Sequence, residues 1–159
     1  MKSGTYSVIL LLFVLYLALL VAVIVFKVGT EPFSDHTDLI IGSPETAINL
    51  KPLYTLRRYW HIRHEINFRT MAVRNLAGNI IPFIPLGIFL PLLWRDRHAF
   101  IFTLIAALNI ILLIELSQLV FRRGIFDIDD IILNAAGVII GYLVYRLVRA
   151  LRSGSRRKE

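Results

Sequence analysis

Carboxylates and amides recur at helical spacing in stretches of this chain that are otherwise apolar. Glu115 and Gln118 stand three apart inside the run from Ala99 to Val120, which also holds Asn109. Asp127, Asp130, Asn134, Gly137 and Gly141 follow at intervals of three and four, so they share one stripe of a helix. Asn75 and Asn79, four apart, share another face, with Gly78 beside them. An ionised side chain at the centre of a membrane helix costs roughly 2.5–3.5 kcal/mol, so each needs a partner or a task. Arg123 and Arg74 are the candidate counter-ions. The chemistry on offer is a polar pocket formed by Asn75, Asn79, Glu115, Gln118, Arg123, Asp127, Asp130 and Asn134.

Each of these residues also has a plainer explanation. Glu115 can snorkel to the surface. Asp127 or Asp129 can cap a helix and offset its dipole. Asp130, a turn further in, is harder to explain as a cap. The whole set can be a hydrogen-bonded plug that only holds helices together. Oxygen ligands for Ca²⁺ or Mg²⁺ are present in Glu115, Asp127, Asp129 and Asp130, but the spacing is not that of an EF-hand, so no metal is expected. His61-Ile62-Arg63-His64-Glu65 matches neither zincin order. The chain has no cysteine, P-loop, GxSxG elbow or GxGxxG. With no nucleophile–base pair, neither catalytic residues nor a cofactor are expected.

The elements that must position these groups are membrane spans. Of the 159 residues, 57% are hydrophobic and 18% charged, against about a quarter charged in a soluble domain. About 20 apolar residues cross the ~30 Å hydrocarbon core, and four runs qualify, near 6–27, 75–94, 99–120 and 128–148. The second carries Pro82, Pro85 and Pro91 with Gly78 and Gly87. Neighbouring helices can satisfy the carbonyls such residues free, so a kinked helix is expected. The spacing of Gly137 and Gly141 permits close helix contact, within the chain or between copies in a homo-oligomer. The segment 53–71 places Leu53, Leu56, Trp60, Phe68 and Met71 roughly on one face, with Arg57, Arg58 and Arg63 elsewhere. That pattern fits an amphipathic helix on the membrane surface; a solvated connecting loop fits as well.

The expected fold is therefore all-α: a four-transmembrane-helix bundle with a kinked second helix and an amphipathic surface helix in the first loop. It forms one membrane domain over 1–151, followed by a basic, disordered tail over 152–159. The net charge is +7. Next to so much apolar sequence, the basic residues point to anionic lipid rather than nucleic acid. Nine Lys and Arg fall on each side of a four-span topology, so the total does not orient the chain. Six basic residues cluster between Arg146 and Lys158, and Arg95 and Arg97 occupy a short turn. Dense clusters beside span ends set topology, so both termini are expected in the cytoplasm. The start of span two, the end of span three and the start of span four then meet in the outer leaflet.

The stretch Asn75–Pro91 resembles the N-x-x-G-N-x-x-x-F-x-P-x-G-x-x-L-P block of VanZ-like membrane proteins. Glu115-Leu-Ser-Gln118, followed by Asp127-Ile-Asp129-Asp130 with Asn134, Gly137 and Gly141, is similar to the second block of that family. Asn49-Leu-Lys-Pro52-Leu53 resembles its N-L-x-P-F element, with Leu53 where Phe is usual. The likeness runs from about Val28 to Arg146. Gly124 stands where the family's arginine is usual, while Arg122 and Arg123 come just before it. The resemblance implies a multi-pass protein of the bacterial cytoplasmic membrane, in a family whose founding member is linked to low-level teicoplanin resistance.

Three functions follow as expectations. The first is binding of a lipid-linked cell-wall intermediate or a lipid-tailed glycopeptide in the outer-leaflet pocket, with lowered teicoplanin susceptibility. The second is a membrane hydrolase or transferase acting on a lipid-linked phosphate. The third is a small transporter or structural subunit, for which Gly137 and Gly141 would have to join copies.

Overall fold

The computed structural model describes residues 3–26, 48–54, 57, 68–94, 99–121 and 126–155. In chain order these form α1 (Ser3–Phe26), β1 (Ile48–Asn49), α2 (Phe68–Ile80), a 3₁₀ turn (Ile81–Phe83), α3 (Ile84–Trp94), α4 (Ala99–Val120), β2 (Phe126–Asp127) and α5 (Ile128–Ser155). Four stretches are long and apolar enough to cross a membrane: Ser3–Ile24, Ala72–Trp94, Phe100–Val120 and Ile128–Gly154. They share one core, built from Leu20, Phe83, Leu86, Leu90, Ala107, Ile111, Ile114 and Val138. Most of the segment expected as a surface helix lies outside the described residues. Its end, Phe68 to Met71, is the first turn of α2.

The second span is two helices joined by a 3₁₀ turn, and its prolines explain the join. Pro85 has no N–H, so it cannot donate to the Ile81 carbonyl four residues back. The Ile84 N–H donates to that oxygen instead, one residue early, which is the 3₁₀ pattern. The hydroxyl of Tyr16 in α1 donates to the Pro82 carbonyl over 2.7 Å. Phe13 and Tyr16 also pack their rings against Phe89, so α1 is held to the second span by one hydrogen bond and an aromatic cluster.

The seam between the second span and α5 is drawn tight by glycine. A Cβ on Gly141 would lie 2.0 Å from the Ile84 carbonyl oxygen, and one on Gly137 would lie 2.2 Å from that of Ile80. From the other side, a Cβ on Gly87 would lie 2.0 Å from the Val138 oxygen. The three glycines thus let two backbones touch. Gly137 and Gly141 spend their small faces inside the chain, so neither is open to join copies.

α5 runs further than expected, to Ser155, and takes in residues 152–155 of the polar segment expected to be disordered. Nothing interrupts the helix before Gly154. Arg152 lies in its last turn, where a cation favours the helix dipole. Its 28 residues span about 42 Å at 1.5 Å each, more than the ~30 Å of a hydrocarbon core. A helix of that length spans such a core with tilt or with turns to spare.

Candidate functional site

The C-terminal end of α1, the start of α2, the end of α4 and the start of α5 meet at one end of the bundle, and the polar residues meet there too. Asn79 of α2 donates through Nδ2 to Asp130 Oδ1 of α5. One turn deeper, Asn134 donates through Nδ2 to Glu115 Oε1 of α4 over 3.3 Å. Both Glu115 and Asn134 are 2% exposed. The carboxylate is an acceptor, so it fixes the Asn134 amide with nitrogen toward Glu115 and Oδ1 turned away. That Oδ1 is buried and has no hydrogen-bond partner among the described residues; the same holds for Oδ1 of Asn75, at the shallow end of α2.

Gln118, three residues after Glu115, has a different neighbour. Its Nε2 donates to the Ile24 carbonyl over 3.1 Å. Ile24 lies in the last turn of α1, where carbonyls lack partners within the helix. Gln118 is thus a tie between α4 and α1, and Glu115 is the member of the pair that faces α5. Arg123 lies outside the described residues.

The shallow end of α5 is built differently. Asp127 precedes the helix and caps it, its Oδ1 accepting the Asp129 N–H over 2.9 Å. The same oxygen accepts from Asn49 Nδ2 over 3.2 Å. Asn49 and Asp127 are also partners in the short parallel pairing of β1 with β2. The other side of the Asn49 amide, Oδ1, accepts the Lys51 N–H over 3.2 Å and closes a turn over Leu50. The Tyr54 N–H donates to the Lys51 carbonyl and closes the next turn, over Pro52 and Leu53. That turn holds Leu53 at φ 60°, a left-handed conformation that a branched side chain rarely adopts. In that pose the Leu53 N–H donates to Asp129 Oδ1. Asp129 is 1% exposed, so it is a buried acceptor for the first loop and more than a cap.

Two residues of this end were therefore missing from the expected pocket: Asn49 and Asp129. Among the described residues, no group of three or more His, Asp and Glu side chains is placed to hold a metal ion.

Comparison with known proteins gives the family. The VanZ/LLP1 family model matches residues 13–149, which hold all four polar-bearing helix ends and both tied loop segments. The chain belongs to the VanZ/LLP1 family. It is 28% identical over 139 residues to Protein VanZ of Enterococcus faecium, an alignment covering 86% of this chain and 72% of that protein. No solved structure matches the chain. As a VanZ/LLP1 member it is a multi-pass membrane protein, and the polar pairs of this end all lie within the matched residues. In this VanZ-like chain, Asn79 meets Asp130, Asn134 meets Glu115, and Asn49 meets Asp127. Asn49 could have been found from its place in the N-L-x-P segment; for Asp129 the only signal was its repetition beside Asp127 and Asp130.

Proposed function

We propose that the polar end of the bundle binds the head group of a lipid-linked cell-wall intermediate or a lipid-tailed glycopeptide, and that the chain thereby lowers susceptibility to teicoplanin. It does so from the bacterial cytoplasmic membrane, with both termini in the cytoplasm and the polar end in the outer leaflet. The observation that carries this reading is the pair of buried amide oxygens, Asn75 Oδ1 and Asn134 Oδ1, which accept no hydrogen bond among the described residues. Buried polar atoms are nearly always paired, and an unmet acceptor costs about 1–3 kcal/mol. Sugar and peptide head groups carry the hydroxyl and amide donors that would meet these oxygens. A bend at the 3₁₀ turn of the second span opens a lateral groove for the acyl chain.

The test is susceptibility of a Gram-positive host expressing the chain, comparing teicoplanin with vancomycin. Wild type protects against teicoplanin alone; Asp130→Asn and Glu115→Gln, at equal membrane levels by blot, lose that protection. Equal protection by well-expressed variants would remove the polar end from the function. No protection by wild type would remove the resistance role.

A further inference from the structure

Helix α4 has a second face that, among the described residues, meets its own chain only where Trp94 stacks on Phe102. Its buried positions, Thr103, Ala107, Ile111, Ile114 and Gln118, point into the core. At 100° per residue, Phe102, Ile105, Asn109, Leu112 and Leu116 lie on the opposite side, and all five are exposed. Their spacing of three, four, three and four is the a/d repeat of a helix-pairing seam. Asn109 sits at its centre, the eleventh of the 22 residues of α4.

In a spanning helix that is the middle of the bilayer, where hydrocarbon offers neither donor nor acceptor. One N–H of the Asn109 amide is met within the helix, by the Ile105 carbonyl at 2.8 Å. The amide's oxygen and its second N–H face outward among apolar neighbours. An amide carries donor and acceptor together, so it complements an identical amide across a twofold axis. A single asparagine at an a position is also the residue that sets register in paired helices.

We propose that two copies of this chain associate in the membrane through α4, with Asn109 bonded to Asn109 of the second copy and Phe102, Ile105, Leu112 and Leu116 packed around it. The proposal rests on the spanning topology given above, but not on the ligand. It also differs from pairing through Gly137 and Gly141, which are covered by Ile80 and Ile84 of the same chain.

The chain has no cysteine, so single cysteines report contacts without background. In proteoliposomes, Ile105→Cys and Leu112→Cys cross-link into dimers under mild oxidation. Leu19→Cys in α1 and Leu143→Cys in α5, also exposed, do not. Energy transfer between labelled copies gives the association constant. Asn109→Leu lowers it about tenfold, in line with hydrogen bonds between membrane helices, and Asn109→Gln restores most of it. A wild type that stays monomeric at every protein-to-lipid ratio overturns the proposal. So does equal cross-linking at all four positions, or undiminished association of Asn109→Leu. Resistance to carbonate extraction reports insertion separately, so failure of the spanning topology is distinguishable from failure to pair.

Discussion

Replacing Gly141 with alanine adds one carbon where the seam has no room. The new Cβ would lie 2.0 Å from the Ile84 oxygen, 2.9 Å from the Ile84 carbon and 3.1 Å from the Gly87 Cα. All three are backbone atoms, so no rotamer change relieves the clash. Restoring even a 3.0 Å contact requires α3 and α5 to part by about 1 Å, which loosens the dispersion contacts along the seam. Overpacking costs typically 1–3 kcal/mol, and a backbone-against-backbone clash belongs near about 3 kcal/mol. Alanine returns about 1 kcal/mol through helix propensity. The net loss is about 2 kcal/mol, or roughly 4–8 °C in melting temperature for a chain of this size. Gly154 supplies the control within the same helix, because a Cβ there meets nothing within 4 Å. Gly154→Ala gains up to about 1 kcal/mol. Thermal unfolding of the purified protein in detergent measures both. If Gly141→Ala melts with or above wild type, the two helices do not touch at their backbones and the account of the seam is refuted.

Other perturbations probe the remaining ties. Tyr16→Phe removes the hydroxyl held by the Pro82 carbonyl and destabilises by about 1 kcal/mol in the same melt; no change would mean that this hydrogen bond does not help hold α1 to the second span. Asp127→Ala takes away the cap of α5 and costs about 0.5–2 kcal/mol. In a double-mutant cycle with Asn49→Ala, the two losses fall short of additive by several tenths of a kcal/mol or more, whereas strict additivity would dissolve the loop contact. Leu53→Gly relieves a left-handed backbone worth about 1–2 kcal/mol but adds about 0.5–1 kcal/mol of chain entropy to be lost on folding. It therefore leaves stability level or slightly higher, and Leu53→Val lowers it; the opposite order would show that the Leu53 side chain, not its backbone, matters.

The four spans were legible because about 20 apolar residues in a row have few other uses. The glycine seam was legible in kind, since small residues four apart mark a close helix contact. Its partner was not, because spacing on α5 says nothing of which helix approaches. Glu115 and Gln118 show the limit of face arguments. Residues three apart differ by about 60° around the axis, enough for one to reach α5 and the other α1. Asn49 and Asp129 escaped the expected pocket for another reason. Asn49 meets Asp127 across 78 residues of chain, and Leu53 meets Asp129 across 76. Such pairings leave no local periodicity. The left-handed Leu53 in particular contradicts local propensity, because the buried acceptor beyond it decides the conformation.

The long reach of those ties sets an order of assembly. Ribosomes deliver the N-terminal end first, at roughly 5–20 residues per second. The 76 residues separating Leu53 from Asp129 therefore take about 4–15 s to emerge. Throughout that interval the first loop waits for its acceptor while α2, α3 and α4 are synthesised. The polar end accordingly cannot close until the start of α5 is made, and the docking of residues 49–53 onto it is the event that completes that end.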